Sequence, residues 1–482
     1  MRKLESIKPF EVFKYFEEIC QIPHGSGNMD KISKYLIDFA KSLSLKYVCD
    51  EAKNVIIYKE ATTGFENSEP IILQAHLDMV CQKDSDSTFD FEKDSLDIYV
   101  DGDFIKAKGT TLGADNGIGV AMVMAILADK NLAHPPIEAI FTTDEEIGMI
   151  GASKLDFSLL KSKRMINLDS EDENVLTVSC AGGSDFTLSL PIKKEKVSGE
   201  KVTLSIDGLK GGHSGVEIDK GRVNANLLCA RVLNHLRQNF EFKILEINGG
   251  AKSNAIPFTV TAELVTQDAK NLVCEAKAYF EKVKKEISAR EPDCILNLLN
   301  SGSGEFEALQ TANTNSIIDI LLNAPNGIID MSAEIEGLVE TSLNLGVLKT
   351  YDDHILFHFA LRSNKASSLD FLEERLVSFA KLCGCKYDTF GRYEPWEFKK
   401  DSPLQQQYVK VFKETFGDAP KIEAIHAGLE CAVFSAKIPG LDCLSIGPDI
   451  FDVHSPKEKV SISSVQKIYD LLKVVLNNSL QK

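Results

Sequence analysis

Apolar residues recur in two rhythms along the first third of the chain. Over Pro9–Cys20 and Met29–Leu43 they return every three to four positions, the spacing of one helix face. The runs NVIIY, PIILQAH, IEAIFTTD and RMINLDS are short, apolar and end in polar residues, which predicts strands buried on both faces. A helix is predicted over Asn116–Ala128, between the second and third of these. Strands alternating with helices predict an α/β layer with much parallel pairing, in which sites form at the carboxyl ends of strands.

The rhythm changes near Gly182–Gly183. Long alternating strands such as KVTLSIDGL and HILFHFALRS appear with amphipathic helices over Asn224–Arg237 and Leu369–Leu382. This predicts an α+β sandwich with helices on one face of a sheet. From about Lys399 the α/β character returns, with a helix over Pro403–Phe416, a strand in DCLSIG and a closing helix over Ser463–Leu476. The expected architecture is an α/β domain with a mixed, largely parallel sheet, built from residues 1–183 and 399–482. An α+β domain, residues 184–398, is inserted into it.

A length of 482 residues exceeds one typical core and suits that division. The net charge of −17 repels phosphate backbones, so nucleic acid is not an expected partner. The longest apolar run, Ile118–Ala128, falls well short of the roughly 20 residues of a membrane span. The N-terminus is amphipathic without a signal-peptide pattern, so cytoplasmic residence is expected. The 11 cysteines are scattered and read as reduced thiols, and the lone CxC of Cys383 and Cys385 supplies too few ligands for a structural zinc.

Polar clusters stand where the predicted buried strands end. His76 and Asp78 follow PIILQA and point the same way on an extended strand. Asp115 lies in GADNGIG, where it reads either as a helix N-cap or as a ligand among glycines. Asp144, Glu145 and Glu146 follow IEAIF; three adjacent acids need either solvent or a cation. Asp169 follows RMINL, and His454 lies in DVHSP before the last helix. Each piece alone reads as structural. Together, two histidines, three carboxylates and a spare Glu make an inventory for two divalent cations bridged by one carboxylate. The nitrogen and oxygen donors suit zinc, with manganese or cobalt as alternatives.

HLDMV, GADNGIG, TTDEEIG, NLDSE and VHSP, in this order over nearly the whole chain, resemble the motifs of a family of zinc peptidases and amidohydrolases. That family includes aminoacylase, glutamate carboxypeptidase and carnosinase. GGHSG, GGAKSNAIP and HAGLE resemble a dipeptidase branch of it. The resemblance implies His76 and Asp169 on one zinc, Glu146 and His454 on the other, and Asp115 between them. It implies Glu145 as general base and Asp78 as a residue that orients the site. The inserted domain would be a lid, with His213 stabilising the oxyanion and Asn254, Arg362 and Gly428 gripping the substrate. In dimeric relatives the histidine matching His213 reaches across from a second subunit, so a homodimer through the lid is one expectation. The implied activity is hydrolysis of short peptides, namely dipeptides with broad or Xaa-His preference. A tripeptidase, an amidohydrolase of N-acyl amino acids and a non-catalytic binding protein on the same fold are the alternatives. The presence of all five ligands and Glu145 speaks against the last.

Other histidines read as ordinary. His24 in PHGSG is a loop residue, solvated or locally satisfied. His134 belongs to a turn, His235 to the polar side of a helix, and His354 and His358 flank a strand. His426 and Glu430, both in HAGLE, remain open between structure and pocket.

Overall fold

The computed structural model describes residues 2–478. The chain divides into two compact units. Among the described residues, the first comprises 2–180, 396–424 and 429–478, and the second 181–395 and 425–428. The short segment 425–428 thus groups with the second unit, and Ala181 N donates to the carbonyls of Ile425 and Ala427.

The first unit is built on an eight-stranded sheet. Its centre is Ile71–His76, whose six residues are all buried. On one side it pairs in parallel with Ile137–Thr142, also buried throughout, and on the other with Arg164–Asn167. Asp442–Ser445, from far along the chain, extends the parallel set beside Arg164–Asn167. Val55–Lys59 on Ile137–Thr142, Lys46–Cys49 on Val55–Lys59 and Val175–Cys180 on Asp442–Ser445 are antiparallel, so the sheet is mixed. Runs that are apolar on both faces require cover on both sides of a sheet.

One covering element is the helix Ala114–Ala128. It is apolar all round, and Asn116 to Leu127 are all buried, as such a helix must be. Gly119 lets it approach the sheet closely. A Cβ there would stand 2.6 Å from the Leu168 carbonyl oxygen. The helix start is thereby pressed against the end of the Arg164–Asn167 strand.

The second unit carries a nine-stranded sheet whose pairings are antiparallel. Alternate residues of its strands, such as Phe186, Leu188 and Leu190 or Ile355, Phe357 and Phe359, join one apolar cluster. Residues of the helices Ala225–Leu236, Ala269–Ile287, Thr311–Asn323 and Ala366–Leu382 complete that cluster. Period-two burial on strands and period-3.6 burial on helices is the α+β pattern. All eleven cysteines are free thiols. No described helix is long and apolar enough to cross a membrane.

Candidate metal centre

The ends of three adjacent parallel strands deliver most of the polar groups. His76 is the last residue of its strand, Glu145 and Glu146 follow Ile137–Thr142, and Asp169 lies two residues past Asn167. Asp115 is in the first turn of Ala114–Ala128 but off helical geometry, at φ −81° and ψ 105°. His454 has left-handed backbone, φ 58°, between the short strands Ile450–Phe451 and Lys459–Ser461.

Five of these side chains, His76, Asp115, Glu146, Asp169 and His454, converge. His76 Nε2 lies 3.1 Å from Asp115 Oδ1 and 3.2 Å from Asp169 Oδ1. His454 Nε2 lies 3.2 Å from Asp115 Oδ2 and 3.1 Å from Glu146 Oε1. Asp115 therefore turns one oxygen to each imidazole, and each imidazole has a further carboxylate of its own. Two donors on bonds of about 2.0–2.1 Å at a tetrahedral angle stand about 3.3 Å apart. The observed spacings fit ligands of two neighbouring cations sharing Asp115. Among the described residues, His76, Asp115 and Glu146 form a group whose ligand atoms all lie within 4.8 Å of one another.

The electrostatics make the same demand for positive charge. Burial by itself lowers His76, but Asp169, Asp115 and Asp78 outweigh it and hold its pKa well above the usual range. Hydrogen bonds to Asp115 and Glu146 push His454 up to about 11. Burial raises Asp115, yet hydrogen bonds from His454 and His76 hold it far below an ordinary carboxylate. Asp169 is raised by burial to about 6. Without cations, protons on the two imidazoles do the neutralising, and a metal would displace them.

Residues 72–478 match the sequence model of Peptidase family M20/M25/M40. The chain belongs to this peptidase family. Within it, the chain is 40% identical to the cytosol non-specific dipeptidase of Escherichia coli (strain K12), over 99% of both proteins. It is also similar to the crystal structure of aminoacylhistidine dipeptidase from Vibrio alginolyticus, at 37% identity and a TM-score of 0.89. That match covers 98% of this chain and 97% of the other. Aminopeptidase PepT from Bacillus cereus, 15% identical with a TM-score of 0.58 over 98% and 100% of the two chains, shares the fold.

Around the cage of this M20 chain, Asp78 works as a brace. Its Oδ1 accepts from Glu145 N at 2.9 Å, and its Oδ2 from Glu146 N at 3.2 Å and Ser26 Oγ at 2.8 Å. The Asp78 carbonyl lies 3.0 Å from His76 Nδ1, which leaves Nε2 facing the carboxylates. Asn116 Nδ2 donates to Asp169 Oδ1 at 2.7 Å. Burial pushes Glu145 well above an ordinary Glu, and Asp169, Glu430 and Glu146 add to the effect against the opposing pull of His76.

The sequence left Glu430 open between structure and pocket and did not single out Gln74. Glu430 is fully buried, accepts from Gln74 Nε2 and Thr142 Oγ1, and is raised to about 8 chiefly by burial. Gln74 lies inside an apolar strand, where a single polar residue leaves little periodic signal. Of the two expectations for His24, the locally held one applies: it is 2% exposed, with Nδ1 2.6 Å from the Ile22 carbonyl.

The remaining expected site residues belong to the second unit. His213 Nδ1 accepts from the backbone of Gly215 and Val216, both at 3.2 Å, so the ring proton sits on Nε2. Burial lowers its pKa, and the Arg362 charge lowers it further. Arg362 Nη2 stands 3.4 Å from that Nε2, and Arg362 Nη1 donates to Tyr393 Oη at 3.1 Å. Two donors side by side make a receptor for an anionic oxygen. Arg362 and Asn254 line a cavity of about 480 Å³ together with Tyr393, Lys252, His358 and Asp185. Gly428 ends the segment 425–428. Its neighbour His426 is buried between Ser342 Oγ (2.7 Å) and Asn364 Oδ1 (3.2 Å).

Proposed function

We propose that this M20 peptidase is a dipeptidase that works with two divalent cations per chain, zinc first, with manganese or cobalt as alternatives. The observation that carries this reading is the split allegiance of Asp115, one oxygen toward each of two imidazoles. His76 and Asp169 would hold one cation, Glu146 and His454 the other, and Asp115 would bridge. When bound, such cations lower the pKa of water from about 15.7 to about 7 and polarise a carbonyl.

The chain's own residues supply the rest. Glu145, buried and among other acids, takes a proton from the attacking water and hands it to the leaving amine. Asp78 holds the backbone of Glu145 and Glu146 in place. His213 donates its Nε2 proton to the developing oxyanion. Arg362 receives the terminal carboxylate through its planar fork, and Asn254 and Gly428 contact the peptide. The names of the two full-length relatives support dipeptides, with Xaa-His among them. Residence in the cytoplasm and a homodimer through the second unit belong to the same proposal.

The test is metal analysis joined to hydrolysis of dipeptides, tripeptides and N-acyl amino acids, before and after chelation. About two ions per chain, cleavage of dipeptides in preference to the other classes, and loss on chelation are expected. Cleavage of only tripeptides or acyl amino acids would overturn the substrate class. Full activity after metal removal would overturn the mechanism.

A further inference from the structure

One carboxylate outside the cage joins two of its walls. Glu458 lies four residues past His454 in the lysine-flanked stretch PKEK, and such a stretch reads as solvated charge. It is instead 3% exposed. Its Oε2 accepts from the backbone N–H groups of Leu112 and Gly113 at 2.8 and 3.1 Å. Its Oε1 accepts from those of Ala114 and Asp115 at 2.8 and 3.3 Å. The positive φ of Gly113, 67°, lets four consecutive amides curl around one anion.

The anchor is itself fixed. Glu458 N donates to the Ser455 carbonyl, and Lys459–Ser461 pairs with Phe104–Ala107 in a small antiparallel sheet. A carboxylate this deep is costly unless its lone pairs are used, and four amide donors match its roughly four acceptor positions.

We propose that Glu458 is a positioning residue for the metal centre. By gathering the amides of residues 112–115 it sets the spacing between the segment that carries Asp115 and the segment that carries His454. Asp115 is the shared ligand in the reading above, on which this inference rests, so a shift of its backbone disturbs both cation positions. Glu458 touches no reacting atom, and its effect passes through ligand geometry alone. Glutamine is a poor substitute there. It keeps one acceptor oxygen, and its amide group would face two N–H donors.

The experiment measures Zn²⁺ affinity by competition with a chelator, and kcat and KM for Ala-His against Zn²⁺ concentration. Wild type, Glu458→Gln, Glu458→Asp and Val460→Ala are compared. Val460 is buried in the adjoining strand Lys459–Ser461, and its apolar side chain can accept no amide hydrogen bond, so it is the destabilising control. In the Glu458 variants Zn²⁺ should bind about 10–100-fold more weakly. Their kcat should recover as Zn²⁺ is raised, with KM unchanged, while Val460→Ala lowers the melting temperature without that metal dependence. Hydrogen exchange on metal-free wild type gives a readout that needs no variant: the amides of 112–115 should be protected. Wild type that binds no Zn²⁺ would sink the metallopeptidase reading itself. With wild type binding, a folded Glu458 variant within twofold of its affinity, or freely exchanging amides at 112–115, would overturn the role of Glu458 alone.

Discussion

Gly119→Ala adds one methyl group at the contact between the Ala114–Ala128 helix and the strand end that carries Asp169. The Cβ would stand 2.6 Å from the Leu168 carbonyl oxygen, whereas ordinary contact begins at 3.4 Å. Helix and strand end must separate by about 0.8 Å, because the obstacle is backbone. The same methyl collides with the Asn116 side chain, which holds Asp169 by a 2.7 Å hydrogen bond. Metal–ligand bonds tolerate errors of about 0.2 Å, so the separation between Asp115 and Asp169 leaves the usable range. Stability and metal affinity should therefore respond differently. Alanine gains about 0.5–1 kcal/mol over glycine in a helix, and overpacking costs about 1–3 kcal/mol. The net loss of stability is then about 0–2.5 kcal/mol, which leaves a folded protein. Zinc affinity should fall at least about 10-fold, the lower end for disturbed ligand support. Chelator competition on the purified variant, with a thermal melt beside it, measures both. Zinc affinity within twofold of wild type would show that the close approach at Gly119 does not govern the Asp115–Asp169 spacing.

Three further outcomes are expected. Glu145→Gln should keep its metal while kcat falls about 10²–10⁴-fold, because the proposed mechanism makes Glu145 the proton carrier and not a ligand; metal analysis beside steady-state kinetics checks it, and unchanged kcat excludes Glu145 as the base. His213→Ala should lower kcat about 10²–10³-fold with metal content intact, as for a lost oxyanion donor; a large loss of metal would instead make His213 structural. In the metal-free protein His454 is raised to about 11 from the 6.5 of the unfolded chain. Its pairing with Asp115 and Glu146 thus stabilises fully below about pH 6.5, and that contribution is lost as pH rises through about 11. With chelator present, the melting-temperature difference between wild type and His454→Ala should shrink across that window. A constant difference would mean that the imidazolium is not what binds the two carboxylates.

Much of the architecture is written in local pattern. Ile71–His76 and Ile137–Thr142 are apolar on both faces, and only a strand covered on both sides uses such a run. His354–Ser363 alternates, and it buries alternate residues on one face of an antiparallel sheet. Polar residues at strand ends also marked His76, Glu146 and Asp169, because a short-range rule of α/β sheets says where sites form, whereas Asp115, at a glycine-rich helix start, and His454, in a loop, stood out by residue type alone. What local pattern does not carry is which distant segments meet.

By itself, then, the sequence determined the element types, the α/β layer interrupted by an α+β insertion, and the residue chemistry available at strand ends. Those properties follow from periodicity and side-chain type, and both are local. The tertiary structure alone decided that Asp115 faces two imidazoles, that Asp78 braces the Glu145–Glu146 backbone, and that Glu458 is a buried amide acceptor. It also decided that Glu430 is buried and accepts from Gln74 and Thr142. Each of these is a contact between residues far apart in the chain or a matter of burial. A charged residue in a loop has the same local pattern whether it meets water or the backbone of a segment more than three hundred residues away, as Glu458 does.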